Sequence, residues 1–137
     1  MSKSGSTTAR RRRPEEIDGM VSKIISGAGK PIGAYTIVAE TERLGAPMVP
    51  TQVYRSVERL MAQDRIERIA SLKAFVPSPD EQSVYLICED CECTRSVPAR
   101  DIVPSLAQVC RDVRFAQAKA HLEIVGKCDR CSGGDRA

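Results

Sequence analysis

At 137 residues the chain has room for one ordinary domain or two small ones, and its 42% apolar and 28% charged content is globular, which argues against wholesale disorder. No apolar run approaches the roughly 20 residues of a membrane span. The basic N-terminus is not followed by the apolar segment of a secretory signal, so a cytoplasmic protein with no membrane partner is expected. The net charge of +3 conceals a split: residues 1–76 carry 13 Lys/Arg against 8 Asp/Glu, and residues 77–137 carry 8 against 10. A basic half joined to a slightly acidic half suggests a nucleic-acid-binding unit followed by something else.

Residues 1–13 are small, polar and basic, closing on Arg10, Arg11, Arg12 and Arg13. Such a segment is a solvated tail, and the same charges suit an arm on DNA phosphates. After Pro14, the spacing of Ile17, Met20, Val21, Ile24 and Ile25 predicts a helix that ends at Gly27 and Gly29. A short second helix is expected from Ala34 toward Gly45. A third runs from Thr51 to Met61 with Val53, Val57, Leu60 and Met61 as its buried stripe. That stripe leaves Gln52, Tyr54, Arg55 and Arg59 on or near the open side, next to Thr51. Arg and Gln read base edges in a major groove, and an exposed Tyr packs on a thymine methyl or bonds a phosphate. Arg65–Ile69 and Lys73–Val76 then read as two strands joined by a turn, with Arg65 and Lys73 as wing phosphate contacts. Three helices and a two-stranded wing make a winged helix-turn-helix.

Pro77-Ser78-Pro79-Asp80 marks a hinge. Ser83–Cys88 reads as a strand, Arg95–Val97 as its return, and Asp101–Cys110 as a helix with Asp101 as N-cap and Pro104 tolerated in the first turn. Ala120–Val125 alternates as a last strand. This βαβ-like unit is too small for a comfortable core and calls for a staple, a metal or a partner subunit. The fold class expected is therefore α+β, with a basic arm at 1–13, a winged helix at 14–76, a hinge at 77–82, a small α/β domain at 83–132 and a tail at 133–137.

The six cysteines decide what the second half is for. Cys88-x-x-Cys91 and Cys128-x-x-Cys131 each follow an expected strand, and two such pairs can close a four-thiolate zinc site. A redox dithiol or unligated buried thiols are the alternatives, and neither pair has the thioredoxin-like context that favours the first. Cys110 falls on the apolar face of its helix as a small core residue. Cys93 is left as a spare ligand or an exposed thiol.

Four ordered stretches, VPTQVYRSVERL, RIERIASLKAFV, LICEDC and HLEIVGKCDRC, resemble the ferric uptake regulator (Fur) family, and its zinc uptake regulator (Zur) branch in particular. The likeness covers about residues 14–132. It implies a homodimeric DNA-binding repressor with a C-terminal dimerisation domain, and no enzymatic activity. By position, Tyr54 and Arg55 fall in the recognition helix, Tyr35 matches a tyrosine that contacts DNA, and Cys88, Cys91, Cys128 and Cys131 match structural zinc ligands. One departure stands out. Where the family places a histidine-rich hinge site for sensing metal, residues 77–85 contain neither His nor Cys, and Ser96 stands where a Glu ligand is expected. Asp80, Glu81 and His121 are left as a weak, oxygen-rich second site, poorly matched to high-affinity zinc. The expected function is thus a DNA-binding regulator with structural zinc and a lost or altered sensing site. The alternative is a degenerate paralogue that forms heterodimers with an intact regulator.

Overall fold

The computed structural model describes residues 12–133, so Arg10, Arg11 and residues 134–137 lie outside the described residues. The chain divides into two units: the first runs through Arg68 and adds Ala74–Pro77, and the second takes Ile69–Lys73 and the chain from Ser78 onward.

In the first unit, α1 (Pro14–Gly27) opens on a proline whose absent N–H would have lacked an intrahelical partner. Glu16 Oε1 accepts the Arg13 N–H at 3.2 Å and closes that end. The next helix, α2 (Ala34–Arg43), stops in a turn that needs glycine. Gly45 sits at φ 79°, its N–H bonding the Glu42 carbonyl at 3.0 Å while the Ala46 N–H reaches Thr41 at 2.9 Å. The buried Thr41 hydroxyl donates to the Val38 carbonyl at 2.6 Å and accepts the Met48 N–H at 3.1 Å, pinning the loop into the third helix. That helix, α3 (Pro50–Ala62), starts on Pro50, and Gln52 Oε1 accepts the Val49 N–H at 3.0 Å.

The apolar stripes expected from the sequence converge on one core. Ile17, Val21, Ile24 and Ile25 of α1, Ile37 of α2 and Val53, Val57 and Leu60 of α3 pack with Ile32, Met48, Ile66 and Phe75. The wing is the pair β1 (Ile66–Ile69) and β2 (Ala74–Pro77). Sequence reading missed its third member: Ile32 and Phe75 exchange backbone bonds at 3.2 and 2.8 Å, a single bridge too short to show a period.

One polar contact threads this core. Asp18 is 6% exposed and accepts the Ser56 hydroxyl at 2.6 Å and the Arg59 guanidinium at 2.7 and 2.9 Å. Arg59 therefore departs from the expectation that it faces outward beside Arg55: its fork is occupied by a carboxylate of α1.

In the second unit, β3 (Ser83–Cys88) is the central strand. It pairs antiparallel with β4 (Thr94–Pro98) and parallel with β5 (Leu122–Gly126), and the crossover carries α4 (Val103–Asp112). The helix begins one residue later than expected, with Ile102 rather than Asp101 at the N-cap and no side-chain cap bond. Pro104 sits in the first turn, as anticipated. No residue of α4 is buried, so Cys110 is half-buried rather than core. Val109, Val113 at 72% and Phe115 at 65% exposure leave an apolar surface around that helix without cover.

The Asp18–Arg59 pair yields the first prediction. Burial raises the Asp18 pKa, but the bonds from Arg59 and Ser56 outweigh it and hold the carboxyl below its ordinary 3.8. Its stabilisation is thus complete above that value and lost as pH falls further. Asp18→Ala should reduce the unfolding free energy by about 1–3 kcal/mol at neutral pH, because it leaves Ser56 and Arg59 short of a charged acceptor. Chemical denaturation measures this, and an unchanged midpoint would show the pair to be incidental.

Candidate metal centre and nucleic-acid face

Strand pairing explains how four cysteines far apart in sequence meet. Cys88 ends β3 opposite Gly126 of the parallel β5, so the turns after the two strands leave the sheet side by side. The first turn is Cys88–Cys93, closed by Glu92 N–H to Cys88 carbonyl at 2.9 Å and Cys88 N–H to Cys93 carbonyl at 3.0 Å, with Glu92 at φ 65°. The second is Cys128–Ser132, closed at 2.9 Å. Lys127 ties the two together through Asp90 at 2.9 Å.

The sulfurs of Cys88, Cys91, Cys128 and Cys131 all lie within 4.8 Å of one another, and those of Cys91 and Cys128 are 3.8 Å apart. A zinc–sulfur bond of about 2.3 Å gives a tetrahedral edge of roughly 3.8 Å, so the donor set fits zinc in both number and size. The Cys91 N–H also points at Cys88 Sγ at 3.5 Å, as in a turn that wraps a metal. Backbone groups of Cys128 and Cys91 draw the Cys88 thiol down to about 6, whereas hydrogen bonds to Cys88 and Cys128 push Cys131 up to about 12. Four thiols this close do not ionise together unaided, and a divalent cation supplies the charge that lets them.

The oxygen-rich second site expected from Asp80, Glu81 and His121 is not assembled. Among the described residues the four cysteines are the one group of three or more such donors with mutually close ligand atoms. Glu81 is instead paired with Arg100 at 2.8 Å. His121 lies 2.6 Å from Glu123 and stacks against Tyr85 with ring centres 5.8 Å apart. Glu123 also accepts the N–H groups of Ala70 at 2.6 Å and Ser71 at 3.2 Å, in the turn that belongs to the second unit. The signal for this cluster was present in the sequence, since His121 and Glu123 are two apart and share one face of a strand.

The side chains expected to meet DNA are mostly exposed. Tyr35, at the start of α2, is 71% exposed; Tyr54 is 46% exposed, and Thr51 and Arg55 are exposed with it on α3. Gln52 is half-buried and its carbonyl oxygen is used at the helix start. Arg12 donates to the Pro47 carbonyl at 3.2 Å, bringing the end of the arm to the loop before α3, and Arg13 is exposed. Arg65 is exposed and bonds Gln63 at 3.3 Å, and Lys73 is exposed in the hairpin turn at φ 52°.

Neither a protein-family model nor a curated relative matches the sequence. Solved structures do. A structure described as holo XcZur is 28% identical, covers 92% of this chain and 91% of its own, and superposes with a TM-score of 0.75. A zinc uptake regulator complexed with zinc and DNA is 20% identical over 96% and 91% of the two chains, with a TM-score of 0.78. The Campylobacter jejuni peroxide stress regulator follows at 12% identity, 96% and 100% coverage and a TM-score of 0.70. The chain has the fold shared by these zinc uptake and peroxide stress regulators. Fur-type proteins of this kind are transcription regulators, not enzymes. Among the described residues, no helix is long and apolar enough to cross a membrane.

The Glu123 cluster gives the second prediction. Burial opposes ionisation, yet the bonds from His121, Ser71 and Ala70 hold the carboxyl at about 2, well below the ordinary 4.5. Its contribution is therefore full above about pH 4.5 and disappears as pH falls toward 2. Glu123→Ala should remove about 1–3 kcal/mol at pH 7 and flatten the acid limb of the stability curve over that window. An acid limb identical to that of the parent would contradict the assignment.

Proposed function

We propose that the chain is a site-specific DNA-binding transcription regulator, a repressor acting as a homodimer in the cytoplasm, with one structural zinc per protomer. Zinc occupancy of a hinge site is not its signal. The observation that supports this reading most directly is the chemistry offered by the helix-turn-helix: Tyr54, Arg55 and Thr51 on the open side of α3 and Tyr35 at the start of α2. Arg55 presents a guanidinium with no carboxylate bound to it in the structure, next to an Arg59 whose fork is filled by Asp18. Of the two, Arg55 is the base reader, and Arg59 sets the position of α3. Arg12, Arg13, Arg65 and Lys73 supply phosphate contacts, and Gln52 orients the start of the helix while exposing its remaining amide to the groove.

Zinc in this reading does no chemistry beyond holding. Cys88, Cys91, Cys128 and Cys131 would bind it in a closed four-coordinate site, and the ion would supply only the positive charge that keeps four thiolates together. The homodimer follows from what the single chain leaves bare. Around α4, Val109, Val113 and Phe115 are exposed, as are Ile124 and Val125 on β5, more apolar surface than a unit this small tolerates alone. A second copy of the same surface covers it.

Regulation by a second metal needs donors gathered in one place, and two of the three candidate donors are otherwise engaged. Glu81 pairs with Arg100 and His121 with Glu123. DNA affinity should accordingly be insensitive to added zinc beyond the first equivalent per chain.

Arg55→Ala tests the reading. It should weaken binding to a cognate operator by about 1–3 kcal/mol at fixed salt and narrow the gap between operator and scrambled duplex. Lys73→Ala should weaken both duplexes alike. Fluorescence anisotropy titrations read both, and equal affinity of the parent protein for operator and scrambled DNA would overturn the proposal.

A further inference from the structure

The first unit holds an open cavity of about 460 Å³, lined by residues of α1, α2 and the loop that joins them. That volume falls within the range of small-molecule pockets, about 300–1,000 Å³. The sequence leaves the space open. α1 ends on Gly27 with Ala28 as its C-cap, and a Cβ added at Gly27 would meet no heavy atom beyond its own stretch of chain within 4 Å. Neither position carries a side chain large enough to close the gap. Part of the wall is apolar: Ile24 and Ile32 belong to the core, Met20 packs against it, and Leu44 is exposed. Lys23, Lys30 and Arg43 line the same cavity, and all three are exposed. One carboxylate stands with them, and it is already taken. Glu40 Oε1 accepts the Nε and Nη2 groups of Arg43 at 3.1 and 2.8 Å. Among the described residues neither Lys23 nor Lys30 has an ion-pair partner. Three cations against one anion give the lining a net charge of +2.

We propose that this cavity binds a small monocarboxylate with an apolar body, of the alkanoate or aryl carboxylate class. A neutral apolar molecule leaves both lysines uncompensated, and an inorganic anion leaves the apolar wall in water. A carboxylate on an apolar body answers both. Its body lies against Met20, Ile24, Ile32 and Leu44, and its carboxylate accepts from Lys23 and Lys30. Burial of the apolar body supplies most of the affinity, because ion pairs this exposed are worth little in water. The lysines chiefly select an anion over a neutral molecule of the same shape. The cavity also borders the nucleic-acid face along one helix: Thr36 lines it, and Tyr35, one residue earlier in α2, is 71% exposed. An occupant adds negative charge to the basic half of the chain, and it therefore weakens attachment to DNA phosphates. This last step rests on the DNA-binding reading, whereas occupancy of the cavity does not.

The test titrates octanoate into full-length, methyl-labelled protein, with 1-octanol as the uncharged control and inorganic phosphate as the control without a chain. Methyl signals of Met20, Ile24, Ile32 and Leu44 should shift and saturate with octanoate. Each control should need a several-fold higher concentration for the same shift. Lys23→Ala and Lys30→Ala combined in one chain should weaken octanoate binding several-fold, and Gly27→Leu, which puts a side chain into the open space, should abolish it. Octanoate at saturation should weaken binding to duplex DNA several-fold at fixed salt. Shifts centred on the exposed Val109 and Val113 instead, an equal response to either control, or unchanged octanoate affinity in both variants would overturn the site. Methyl shifts as expected with unaltered DNA affinity would overturn the regulatory step and uphold the site. The same shifts in a protein that binds no DNA would retire the DNA-binding reading and leave the carboxylate site standing.

Discussion

Four sulfurs within 4.8 Å of one another are the constraint on which the second unit depends. Thiols that close repel as thiolates and gain little from each other as neutral groups, so the cluster makes physical sense only around a cation. The rest of the unit shows why it is needed. Its burial is concentrated in β3, where Val84, Tyr85, Ile87 and Cys88 are covered, whereas β4, β5 and α4 contribute no buried residue. A sheet with one covered strand does not outweigh the conformational entropy of about 50 residues. Zinc bound to such a site would be worth on the order of 10 kcal/mol or more, and it would act at the ends of β3 and β5.

The first unit is built the other way. Its three helices and wing close around an apolar core of thirteen residues with no metal, so its stability and its surface chemistry are set separately. The Asp18–Ser56–Arg59 contact shows the division of labour on α3. Ser56 and Arg59 of that helix are held by Asp18 of α1, whereas Thr51, Tyr54 and Arg55 are exposed. One arginine binds a carboxylate within the fold, and the other, four residues earlier in the chain, is exposed.

Much of this was legible in the sequence, and the limits have physical causes. The first three helices and both wing strands announced themselves through periodicity, because each lays apolar residues on a shared core. The four-cysteine cluster was legible because Cys-x-x-Cys is a local geometry that needs only a tight turn. What escaped reading was non-local. Arg59 and Asp18 are 41 residues apart, and nothing in either neighbourhood says that they meet. Glu81 and Arg100 are likewise 19 apart, and that pairing withdraws a donor from the second site the hinge suggested. The start of α4 slipped because Asp101 is a good cap by composition, while the backbone turns helical only after Ile102.

Native mass spectrometry of untagged protein purified without chelator tests the central claim most directly, because it reads oligomer and metal together. The account predicts a dimer carrying one zinc per protomer, and loss of that zinc on chelation with loss of the dimer. A folded, metal-free monomer would contradict it.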